Sequence, residues 1–78
     1  MSDPISITDL DLNDHEKALL AYLSAPRSIL NVAAKFSISF SGSWQKLNIL
    51  AEKGLVVKVT TAKGNKLYKL NELRVVNQ

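Results

Sequence analysis

Four side chains between residues 41 and 48 are of types that can exchange hydrogen bonds with the edges of nucleic-acid bases: Ser41, Gln45, Lys46 and Asn48. A glutamine amide donates and accepts together, which matches the paired acceptor and donor of adenine. A lysine ammonium donates to guanine or to a phosphate, and serine and asparagine serve either base or backbone. A second set consists of Arg27, Lys35, Ser39, Ser43, Lys63, Asn65 and Lys66. Their charges, hydroxyls and amides suit phosphate oxygens. Taken singly, each has an ordinary explanation, because any amphipathic helix has a polar face and turns commonly carry lysine. What matters is whether the chain's elements bring the two sets together.

The spacing of apolar residues supplies such elements. Residues 1–12 contain Pro4 and alternate Ile5, Ile7, Leu10 and Leu12 with polar residues, as an arm or short strand would. Asn13 followed by Glu16 has the spacing of a capping box, and acidic residues in a first turn favour the positive end of a helix dipole. A first helix is therefore expected over 14–24, with Ala18, Leu19, Tyr22 and Leu23 as its buried stripe, Leu20 beside them, and Pro26 as its stop. Ser28 is a second N-cap candidate. Ile29, Val32, Ala33 and Phe36 follow at i, i+3, i+4 and i+7, so a short second helix is expected over 29–36.

Residues 37–39 are too few and too polar for anything but a turn, with Ile38 as a plug between helices. Ser39 or Ser41 would cap a third helix whose stripe is Phe40, Trp44, Leu47, Leu50 and Ala51. That helix should end at Gly54 in a left-handed conformation. Trp44 is expected as a core anchor, the alternative being partial exposure beside a groove. The β-branched run 55–60 and the run 66–70 flank Thr61-Ala-Lys-Gly-Asn65, so the pair reads as a β-hairpin, and Val75-Val76 could add a strand. The division expected is an arm over 1–12, one domain over 13–71 and a tail over 72–78.

Charge and composition narrow the function classes. The chain of 78 residues has a net charge of +3, but residues 1–16 carry five acidic and no basic side chains, whereas 17–78 carry all ten basic ones against Glu52 and Glu72. A net −5 segment followed by a net +8 segment points to a polyanionic partner, or more simply to a solvated surface. A chain this short buries only ~60% of its unfolded surface and has room for a single core, which disfavours a larger enzyme fold. There is no cysteine, so neither a disulfide framework nor a thiolate metal site can form. His15 is the lone histidine and falls at the edge of the first helix's stripe, where packing explains it better than catalysis. The carboxylates have no histidine or cysteine partner at useful spacing, so no catalytic triad is expected. The first residues lack the basic start and apolar run of a signal peptide, and no apolar run reaches membrane-spanning length. The expectation is a soluble, cytoplasmic or nucleoid-associated protein with no cofactor, no bound metal, no small-molecule ligand and no membrane partner.

From Val32 onward, V-A-A-K-F-S-I-S-F-S-G-S-W-Q-K-L-N-I-L-A-E-K-G-L-V, and then Y-K-L at Tyr68 to Leu70, the chain resembles the winged helix-turn-helix transcription regulators of the broad MarR/ArsR kind. The resemblance implies an α+β fold: a winged helix-turn-helix of three helices followed by a β-hairpin wing. It also implies sequence-specific binding to double-stranded DNA, with the third helix in the major groove and the wing on the backbone or minor groove. Ser41, Gln45, Lys46 and Asn48 then become base-reading candidates, and Arg27, Lys35, Ser39, Ser43, Lys63, Asn65 and Lys66 backbone-binding ones.

Several departures qualify the resemblance. The family usually places an apolar residue one position before Trp44, where this chain has Ser43. Metal-sensing members need a Cys, His and carboxylate cluster that is missing here. The left-handed-DNA-binding branch would look for lysine, asparagine and tyrosine where this chain has Phe40, Trp44 and Asn48. A homodimer is the expected assembly, formed through the arm, the first helix or the tail, because long flanking helices are lacking. The alternative function is a winged-helix protein–protein interaction module with an acidic partner.

Overall fold

The computed structural model describes residues 3–77. A two-residue strand β1 (Ile5–Ser6) and a 3-10 turn (Ile7–Asp9) lead into three helices, α1 (Asp14–Tyr22), α2 (Ile29–Phe36) and α3 (Phe40–Glu52). Strands β2 (Val56–Thr60), β3 (Lys66–Leu70) and β4 (Val75–Val76) follow. β2 and β3 pair antiparallel, from Val56 opposite Leu70 to Thr60 opposite Lys66, while β1 pairs parallel with β4. Arm and tail are thus joined within one chain, and Ile7 and Val75 are buried beside the helices.

Local chemistry sets the helix ends. The Asn13 side-chain oxygen accepts from the Glu16 amide at 2.8 Å, which starts α1. At α2 a full capping box forms: Ser28 Oγ accepts from the Asn31 amide at 3.1 Å, and Asn31 Oδ1 accepts from the Ser28 amide at 3.1 Å. Ser37 turns the chain in the left-handed region (φ 54°, ψ 43°), and Ser39 caps α3 by accepting from the Gly42 amide at 3.0 Å. Gly54, at φ 77°, ends α3 as expected, and the Leu55 amide reaches back to the Leu50 carbonyl. In the wing turn, Gly64 has φ 86° and the Thr61 amide donates to the Asn65 carbonyl at 2.8 Å.

The core is built from Leu19, Leu20 and Leu23 of α1, Val32 of α2, Leu47 and Leu50 of α3, and Val56, Tyr68 and Leu70 of the hairpin, with Ile7 and Val75. Two expectations need correction, and a third feature was not anticipated. First, α1 ends at Tyr22 rather than at 24, and Ala18 is exposed while Leu20 is fully buried. The larger leucine surface takes the inward place, because burial scales with apolar area.

Second, α3 is rotated about its axis. Ser43, Leu47 and Leu50 are the fully or nearly fully buried residues of this helix, whereas Phe40 and Trp44, expected in its stripe, are 55% and 49% exposed. Leu47 and Leu50 centre the inward face on Ser43, which leaves Trp44 about 90° around the helix. Third, the hairpin has an additional partner that the sequence pattern did not reveal. Arg27 forms an antiparallel bridge with Tyr68, its amide donating to the Tyr68 carbonyl at 2.9 Å. The Leu70 amide donates to the Leu23 carbonyl at 2.9 Å, so the base of the wing is fixed to the segment between α1 and α2.

Candidate nucleic-acid interface

The outward side of α3 carries Ser41, Gln45, Asn48 and Glu52 at i, i+4, i+7 and i+11, the spacing of one helical face. Ser41, Gln45 and Glu52 are exposed and Asn48 is half-buried. Lys46 is half-buried on one flank, in line with exposed Lys53 seven residues later; Phe40 and Trp44 form the other flank. Three of the four base-reading candidates therefore share a row, and Lys46 stands beside it. Glu52 is at the C-terminal end of this face, away from the N-terminal half that reads bases in helix-turn-helix proteins.

The phosphate-binding candidates divide more sharply. Ser43 is corrected outright: it is fully buried, and its hydroxyl donates to the Ser39 carbonyl at 2.9 Å, so it has no surface to offer a ligand. Arg27 is half-buried and turned onto its own domain. Its guanidinium carbon lies 4.5 Å from the centre of the Tyr22 ring, and its Nε donates to the Tyr22 carbonyl at 3.4 Å. Lys35 is exposed, with its ammonium 5.9 Å from the same ring centre, so Tyr22 gathers one cation from before α2 and one from its last turn. Ser39 is exposed but its hydroxyl already caps α3. Lys63, Asn65 and Lys66 are exposed in the wing turn or just after it, where the Asn65 amide donates to Thr61 Oγ1 at 3.1 Å.

The cations of α3, of β2 and of the wing turn have no carboxylate partner among the described residues. The ion pair among the described residues joins Lys69 and Glu72 at 3.4 Å; Lys35, Lys46, Lys53, Lys58, Lys63 and Lys66 have no carboxylate partner among those residues. Lys58 approaches the Tyr68 ring at 6.0 Å. Asp3 precedes β1, Asp9 lies in the 3-10 turn, Asp11 in the loop after it, and Asp14 and Glu16 in α1, all distinct from α3 and the hairpin. His15 packs edge-on against Phe36, with ring centres 5.3 Å apart, and its buried Nε2 has no hydrogen-bond partner. Among the described residues no group of three or more His, Asp or Glu could hold a metal ion, and no helix is long and apolar enough to cross a membrane.

Neither a family model nor a curated protein matches the chain. Among solved structures it is similar to a point mutant of ZitR from Lactococcus lactis, with a TM-score of 0.74 and 22% sequence identity over 82% of this chain and 46% of that one. The chain thus spans less than half the length of that protein's chain. The likeness shows the fold: three helices followed by an antiparallel hairpin form a winged helix.

Proposed function

We propose that this chain is a small transcriptional regulator of the MarR/ArsR kind that binds double-stranded DNA sequence-specifically, as a homodimer on a two-fold site, in the cytoplasm or nucleoid. It acts by binding and not by catalysis. α3 enters the major groove with Ser41, Gln45 and Asn48 toward base edges and Lys46 beside them. The wing sets Lys63, Asn65 and Lys66 on the backbone or minor groove, and Lys35 adds a phosphate contact. One observation carries this reading: the polar row of α3 is solvent-accessible in a winged helix whose nearby lysines lack carboxylate partners among the described residues. Arg27, Ser39 and Ser43 are left out of the contact set because their side chains are engaged within the domain.

Selection from a random duplex pool, followed by footprinting, tests the proposal. The expected outcome is an enriched two-fold site with half-sites about 34 to 36 Å apart. Failure to enrich any duplex, together with no binding at low micromolar protein in ~50 mM salt, refutes it. The exposure of Phe40 and Trp44 favours a second reading, in which this surface meets a protein with acidic residues around an apolar pocket. That reading gains if DNA binding is absent.

A further inference from the structure

Phe40 and Trp44 lie one helical turn apart and about half exposed on the same flank of α3, directly beside Ser41 and Gln45. Large aromatic side chains at such exposure invite a partner surface, and the surroundings indicate which kind. The two rings together leave on the order of 200 Å² open, enough to cover a few small apolar groups at the edge of a larger contact. Lys46 and Lys53 lie on the opposite flank of the same helix, so the neighbours of the two rings on the outward side are the polar Ser41 and Gln45.

The major groove offers one apolar group to a reading helix, the C5-methyl of thymine, and the same A·T pair offers adenine's N6 and N7 to a glutamine amide. Gln45 and Trp44 are adjacent in sequence and about 100° apart around the helix, so one A·T-rich segment can satisfy both. Phe40 and Trp44 are separated by about 6 Å along the helix axis. That is close to two base steps of about 3.4 Å on one strand.

Building on the DNA-binding reading above, we propose that Phe40 and Trp44 form an apolar edge that packs against thymine methyl groups, making them specificity-determining residues for A·T-rich sites. The test compares two duplexes of equal length, alternating d(A-T) and alternating d(A-U), which differ in the C5-methyl. The wild-type chain should bind d(A-T) more tightly, by about fourfold per methyl group covered. In Phe40→Ala and Trp44→Ala this preference should shrink toward unity, while affinity for d(A-U) and its salt dependence stay near the wild-type values.

Equal wild-type affinity for the two duplexes, with an ordinary salt dependence, overturns the methyl-reading edge and leaves DNA binding standing. A preference that survives in both variants assigns it to duplex shape and overturns the role of these residues. Binding to neither duplex at ~50 mM salt defeats the DNA-binding reading and this inference with it. The wild-type comparison stands on its own if a variant fails to fold, as judged by circular dichroism.

Discussion

Removing single lysines should alter the salt dependence of DNA binding by a calculable amount. Lys35, Lys46, Lys63 and Lys66 lack carboxylate partners among the described residues and lie on α2, α3 and around the wing turn. If each neutralises one phosphate, log K falls against log[salt] with a slope of roughly −3.6 per protomer. Raising salt from 50 to 200 mM should then weaken binding about 150-fold. Replacing one of the four with alanine removes about 0.9 from the slope, so the same change in salt should cost the variant only about 40-fold. Lys69→Ala serves as the control, because Lys69 already faces Glu72 at 3.4 Å and should leave the slope nearly unchanged. Fluorescence anisotropy of an end-labelled duplex, titrated at several salt concentrations, measures each slope. A wild-type slope shallower than about −1 would refute the electrostatic platform. So would a Lys69→Ala effect equal to that of the four free lysines.

Other substitutions separate reading, packing and exposure. Gln45→Ala should cost about 1 to 3 kcal/mol on the selected site and little on random duplex, measured as the ratio of the two dissociation constants. Leu47→Ala should destabilise the fold by about 2 to 5 kcal/mol, because Leu47 is fully buried, and thermal unfolding monitored by circular dichroism should register it. Ser43→Ala should change stability by less than about 1 kcal/mol, because the hydroxyl lost bonds a Ser39 carbonyl that also accepts the Ser43 amide, and alanine favours the helix. The same variant should keep the wild-type salt slope; a reduced slope would return Ser43 to the phosphate contacts. Trp44 should emit as a solvent-exposed indole and be quenched readily by acrylamide, in contrast to a core tryptophan.

Where a local rule decides the structure, the chain was legible. Asn13, Ser28 and Ser39 cap the three helices at spacings visible in the sequence, and Gly54 and Gly64 take the positive φ angles their turns require. The second helix has the bounds its apolar period indicated, and the hairpin pairs as its β-branched and turn residues suggested. The contact between Arg27 and Tyr68 was not legible. It is a single-residue bridge between segments 41 positions apart, and no period can develop in one residue.

The rotation of α3 is the consequential difference, and its cause is a competition the sequence pattern could not weigh. Phe40, Trp44, Leu47, Leu50 and Ala51 make a good helical stripe, but so do Ser43, Leu47 and Leu50, and the two share both leucines. Hydrophobicity favours the first stripe; the structure adopts the second, because the serine hydroxyl satisfies itself on the carbonyl four residues back and so can be buried without an unpaired polar group. A small residue facing inward also leaves room for Leu47 and Leu50 to meet α1, α2 and the hairpin in one core. The surface effect follows from the same turn of the helix. Burying Ser43 takes a hydroxyl away from the candidate interface and brings two aromatic rings to its edge, next to the Gln45 amide. Ser43, standing before Trp44 where an apolar residue was usual, was therefore the sequence signal that bore on this rotation. Its meaning depended on whether Ser43 or the two aromatic residues would turn inward beside Leu47 and Leu50.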